Sequence, residues 1–134
     1  MSDLLKFMIN LWDMTTIDWM GFDSDDKYSF HHIIKKSDGG KHIISNGAVL
    51  HQNSSHPYLH TIEHYDPDKY IFINNILKDV NSQLSMPTKE QLLQIRMVLM
   101  EFQREYEGKT SSRNKPIIKK EYILEDLKWV MQLE

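Results

Sequence analysis

The spacing of apolar positions changes three times along the chain. In residues 3–12, Leu4, Leu5, Met8, Leu11 and Trp12 recur at helical spacing, with Ser2 or Asp3 placed as N-cap. Ile17, Trp19, Met20 and Phe22 follow, and the acidic run Asp23-Ser24-Asp25-Asp26 closes the segment. Residues 1–26 read as an acidic and apolar extension that packs on the main body or on a partner. Residues 27–34 (KYSFHHII) are rich in aromatic and β-branched types, which predicts a strand. Ser37-Asp38-Gly39-Gly40 predicts a turn, and residues 41–50 resume strand character with an interruption at Asn46-Gly47. A loop at 52–55 ends in N-capping serines, and Pro57 suits the first turn of a short helix.

Beyond Asp66-Pro67 the period becomes purely helical. Tyr70, Ile73, Leu77, Val80 and Leu84 form one seam. After Met86-Pro87, Thr88 and Gln91 form a capping-box pattern ahead of a second seam, Leu92, Ile95, Leu99, Phe102 and Tyr106, which Gly108 ends. The short link predicts a helical hairpin. Ile123, Leu124, Leu127, Val130 and Met131, with Trp129, predict a closing helix. The expected fold class is α+β: a small two-stranded hairpin and short helix over residues 27–64, decorated by helices, in a single domain of residues 1–134.

Charge sharpens this division. Residues 1–26 hold six Asp and one Lys, a local balance of −5 in a chain of net −3, which leaves residues 27–134 at +2. From Lys27 to Ile62 the single acid, Asp38, faces Lys27, Lys35, Lys36 and Lys41. A locally basic stretch suits a phosphate backbone; it also suits a plain solvated face. Residues 109–120 carry Lys109, Arg113, Lys115, Lys119 and Lys120 and no acid until Glu121, so this segment is either a phosphate-touching loop or an exposed linker. The chain has no Cys, which excludes disulfides and thiolate metal sites. It has no apolar run of spanning length and no signal-like start, so a soluble, cytoplasmic protein without membrane contact is expected.

Six of the seven histidines fall between His31 and His60. Imidazole is the commonest transition-metal ligand, and a cluster of them between turn signals points to a metal site. His56 and His60, four apart on one predicted helix, share a face and can reach one cation. His31 and His32 are neighbours on a predicted strand and point to opposite sides, so they can serve metal and water separately only if the strand end bends locally.

His31-His32, Asn46, His56 and His60 resemble the HNH (ββα-metal, His-Me finger) endonuclease motif. Asn46 stands 15 residues after His31, His56 10 after Asn46, and His60 4 after His56. The closing H-x-x-x-H is most similar to DNase colicin nuclease domains, and the remainder is similar to small phage and Firmicutes HNH-like proteins. The resemblance covers roughly residues 28–64. It implies one divalent metal (Mg, Mn, Ni or Zn) held by His31, His56 and His60. It implies His32 as the general base and Asn46 as the residue that pins the interstrand loop and orients His32. It implies DNA as substrate, with Lys35, Lys36, Lys41, Lys109, Arg113 and Lys115 as the cations available to it. The Cys-x-x-Cys pairs of many HNH proteins are missing here.

Three functions remain open on sequence: a metal-dependent DNA endonuclease, monomeric or homodimeric; an inactive HNH-like protein that binds nucleic acid or a protein partner, the latter through the N-terminal segment; and a helical protein whose histidines bind no catalytic metal. Because imidazole must be neutral to ligate, metal binding is expected to fall below about pH 6.5. His42, His51 and His64 are expected at surface or supporting positions.

Overall fold

The computed structural model describes residues 2–123. Over that range the chain is α+β, with four helices and one antiparallel two-stranded hairpin. Helix α1 spans Asp3–Leu11, and Ser2 Oγ caps it by accepting from the Leu5 N–H at 3.2 Å. Leu5, Met8 and Trp12 point inward. The chain then wraps back so that Met14, Trp19, Met20 and Phe22 are also buried, with the Trp12 and Trp19 rings 4.9 Å apart. The N-terminal segment therefore packs on the main body, the first of its two expected uses, and joins the core. Of its large apolar side chains, Phe7 and Leu11 are the ones left exposed.

Strand β1 (Tyr28–His32) pairs with β2 (Gly47–His51), with Tyr28 opposite His51, Phe30 opposite Val49 and His32 opposite Gly47. Both strands are shorter than the apolar pattern suggests. Residues 33–46 leave the ladder and form 3-10 turns at Lys36–Asp38 and Ile44–Asn46, with Gly39 in the left-handed region at φ 89°. The cause is Asn46. Its side chain supplies the partners that a longer ladder would have supplied, so β pairing ends where that side chain enters.

Helix α2 (Ser55–Tyr65) lies beside β2 and buries Tyr58, Leu59 and Ile62. Asp66 ends it and caps α3 (Pro67–Gln83) by accepting from the Lys69 N–H. The seam Tyr70, Ile73, Leu77 and Val80 is buried as expected. Leu84 is not: it sits past the helix end at φ 54°, 56% exposed. Helix α4 (Lys89–Tyr106) opens with the capping box of Thr88 and Gln91 and buries Ile95, Leu99 and Phe102. The side-chain amides of Gln83 and Gln91 pair with each other at 3.0 Å, tying α3 to α4 across the link.

After α4 a bridge between Thr110 and Pro116 closes the basic loop, and Ile118 and Tyr122 return to the core, Tyr122 stacked on Tyr58. The closing helix expected over Ile123–Met131, with Trp129, lies beyond Ile123 outside the described residues. No helix among the described residues is long and apolar enough to cross a membrane.

Candidate metal centre

Three imidazoles meet where the end of β1 faces α2. His31, His56 and His60 each offer one ring nitrogen, and these atoms lie within 4.8 Å of one another. The ring centroids are 5.4 Å apart for His31 and His56, 5.6 Å for His31 and His60, and 5.0 Å for His56 and His60. The strand supplies one ligand because its alternation sends position 31 toward α2. The helix supplies two because positions four apart stack on one face.

One nitrogen of each ring has a partner in the protein. His31 Nε2 lies 2.8 Å from Asn74 Oδ1 on α3, and Asn74 Nδ2 donates to the Ile33 carbonyl at 2.9 Å. His56 Nδ1 lies 2.7 Å from Ser29 Oγ, whose hydroxyl donates to the Leu50 carbonyl at 3.3 Å. His60 Nδ1 lies 3.1 Å from Glu63 Oε1, and Lys35 Nζ pairs with the other carboxylate oxygen. Metal-binding histidines are commonly held by such second partners. Burial, together with the neighbouring imidazoles His56 and His60, pushes the pKa of His31 down to about 4. Burial followed by His60 and His32 does the same for His56, also to about 4. Both rings are thus neutral at pH 7, with lone pairs free to ligate. Partial burial would raise the Glu63 carboxyl, but hydrogen bonds from Lys35 and His60 hold it below its usual range.

His32 takes the opposite face of β1. Its ring meets Phe30 edge-on at 4.7 Å and His42 at 5.4 Å, and its Nε2 is buried with no hydrogen-bond partner among the described residues. Burial, then the charges of Lys36 and His42, lower its pKa. It stays near enough to the cluster for its charge to act on His56. Asn46, 7% exposed, clamps the loop: its Oδ1 accepts from the Ile34 N–H at 2.7 Å, and its Nδ2 donates to the carbonyls of Ile34 at 3.0 Å and Lys41 at 2.9 Å. Gly40 is required in that loop, since a Cβ there would collide with the Ile34 carbonyl and crowd Asn46 Nδ2.

The lysines are placed unevenly. Lys35 is engaged by Glu63 and lies over the Tyr70 ring, and Lys36 acts on His32. Lys41 is exposed in the clamped loop. Lys109, Arg113 and Lys115 belong to the separate loop after α4, with Lys109 over the Tyr106 ring.

His51 takes the supporting position and not the surface one. It is fully buried, with Nδ1 3.0 Å from the Asp26 carbonyl and Nε2 2.8 Å from that of Thr16, so it ties residues 16–26 to β2. Beside it Asp18, also fully buried, accepts from the Met20, Phe22 and His51 N–H groups and from Ser55 Oγ. Burial raises the Asp18 carboxyl, while His51 and these hydrogen bonds oppose that rise. His42 and His64 are exposed, as expected.

Sequence reasoning passed over Asn74, Ser29 and Glu63. Ser29 was within reach of it, two residues before His31 and so on the same strand face, and so was Glu63, one turn after His60. Asn74 carries no such signal: 43 residues separate it from His31, and the packing of α3 alone brings it there. Comparison with family models, with curated proteins and with solved structures finds no match to this chain.

Proposed function

We propose that this protein is a metal-dependent endonuclease of the HNH type that hydrolyses phosphodiester bonds in DNA, with β1, the clamped loop, β2 and α2 acting as a ββα-metal core. The observation that carries the reading is the convergence of His31, His56 and His60, each held by one nitrogen and free at the other. The donor set fits a divalent transition metal: three imidazoles suit Zn²⁺ or Ni²⁺ and leave coordination positions open, as catalytic sites do. Bound there, the cation would supply charge stabilisation to a phosphodiester undergoing hydrolysis.

The remaining work falls to the chain. His32 is assigned the proton of the attacking water, a role worth typically ~10²–10⁴-fold; its Nε2, buried and unpartnered among the described residues, reaches that water once the ring turns toward the cluster. Asn46 fixes the loop that follows His32 and thereby the ring's direction. Lys36 and Lys41 meet the DNA backbone.

Nicking of supercoiled plasmid by purified protein with Mg²⁺, Mn²⁺, Ni²⁺ or Zn²⁺ tests the proposal. Cleavage that a chelator abolishes and His56→Ala lacks supports it. Metal binding without cleavage under any of the four ions selects the binding-only reading, and no metal binding ends both.

A further inference from the structure

The hydrogen-bond partners of the three rings decide which nitrogen each ring offers. Asn74 Nδ2 donates to the Ile33 carbonyl, which fixes the orientation of the amide and turns Oδ1 toward His31. A carbonyl oxygen only accepts, so His31 Nε2 must carry the hydrogen and its lone pair stays on Nδ1. Ser29 has its hydroxyl hydrogen committed to the Leu50 carbonyl, so its oxygen accepts from His56 Nδ1–H and the lone pair of that ring is on Nε2. The Glu63 carboxylate accepts from His60 Nδ1–H, which leaves Nε2 there as well.

Resting on the metal reading above, we propose that Asn74 is a positioning residue that holds His31 in its Nε2–H tautomer, so that the cation is taken by a mixed set: Nδ1 of His31 with Nε2 of His56 and of His60. The site is then not complete within the strand–loop–strand–helix unit. It needs α3, which brings Asn74 against the back of His31 while Ile73 and Leu77 of the same helix are sealed in the core. Outer hydrogen-bond partners of this kind typically change metal affinity by ~10–100-fold when lost.

The test uses the full chain with zinc chloride as probe and two variants. Asn74→Leu keeps the volume and removes the acceptor. Asn74→Asp restores an acceptor without the amide. Long-range ¹H–¹⁵N spectra of the histidine rings, taken with and without zinc, read the tautomers directly, and calorimetry reads affinity. Expected are a His31 ring protonated at Nε2 in both states of the wild type, a ~10–100-fold weaker zinc affinity in Asn74→Leu, and recovery of most of that loss in Asn74→Asp. Circular dichroism verifies that each variant is folded. Zinc bound through His31 Nε2 in the wild type overturns the proposal even if zinc binds tightly, as does unchanged affinity in folded Asn74→Leu. If Asn74→Leu does not fold, the wild-type tautomer and the Asn74→Asp affinity still decide. An Nε2–H tautomer in a wild type that binds no zinc overturns the metal reading, and this proposal with it.

Discussion

His31 and His32 are adjacent and differ in everything that matters. One is 2% exposed among two other imidazoles and an asparagine; the other lies against Phe30 and His42 with a free nitrogen. Replacing each group separates their tasks. His32→Ala should leave metal affinity nearly intact and lower plasmid cleavage by ~10²-fold or more, the usual size of a lost general base. His56→Ala should lose both. Calorimetry and nicking on the same preparations check this, and equal cleavage by wild type and His32→Ala would remove His32 as the base. The buried rings also make an acid-sensitive fold. An unfolded His titrates near 6.5, while folded His31 and His56 are held at about 4. Between those values the unfolded chain binds more protons than the folded one, so stability rises with pH. In metal-free protein the urea midpoint should fall steadily from pH 6.5 to 4 and level off above 7. His56→Gln should flatten part of that slope; a wild-type profile flat across the window would show that the rings are not held neutral. The same shift moves metal binding through these two ligands to lower pH than the value of about 6.5 expected from sequence.

At the scale of elements, the interstrand loop and α3 carry the site. The loop buries little of its apolar content: of its four isoleucines Ile33 is buried, Ile44 half-buried, and Ile34 and Ile43 exposed. It is held by the three hydrogen bonds of Asn46, and by Asn81 of α3, which donates to the Ile44 and Gly47 carbonyls at 2.7 and 2.8 Å. Asn46→Ala leaves the Ile34 N–H and two carbonyls to find new partners, and unmatched buried groups cost about 1–3 kcal/mol each. We expect a loss of about 2–4 kcal/mol in urea denaturation for Asn46→Ala, and a comparable loss for Gly40→Ala, whose methyl would displace the Ile34 carbonyl. Gly39→Ala, at φ 89° with nothing within 4 Å of its Cβ, should cost only the strain of the left-handed backbone, about 1 kcal/mol. Should Gly40→Ala be no worse than Gly39→Ala, the loop does not rest on the Asn46 clamp.

For the whole molecule, the endonuclease proposal requires a chain of net charge −3 to meet an anionic polymer. Its negative balance sits in residues 1–26, where several acids are used internally: Asp18 is buried with His51 and Ser55, and Asp26 accepts from the N–H groups of Lys27 and Asn53. The cations stand on two separate loops, 35–41 and 109–120. Where DNA binds, affinity should fall steeply with salt. Replacing Lys109, Arg113 and Lys115 together by Ser should make the plot of log affinity against log salt shallower by up to ~3 units if all three touch phosphates. A slope identical to wild type would identify the loop after α4 as a linker. Local pattern was enough to place α1 to α4 and the two strands, though not the strands' lengths, because period, cap and turn are properties of neighbouring residues: Thr88 and Gln91 cap α4 as their spacing demands, whereas Ser54 makes no cap hydrogen bond ahead of α2, and His56 and His60 share a face because a helix puts them there. The same locality made the Asn46–histidine constellation legible as one unit. What lay beyond it was long-range. Local pattern could not decide whether the apolar side chains of residues 12–22 pack on the main body or on a partner, and could not tell that His51 is buried against carbonyls 25 to 35 residues away, or that Asn74 holds His31 across 43 residues. Those contacts exist only once apolar faces of different elements have been buried against one another, and that packing, not any local spacing, decides which polar groups are shut in with them and must find partners there.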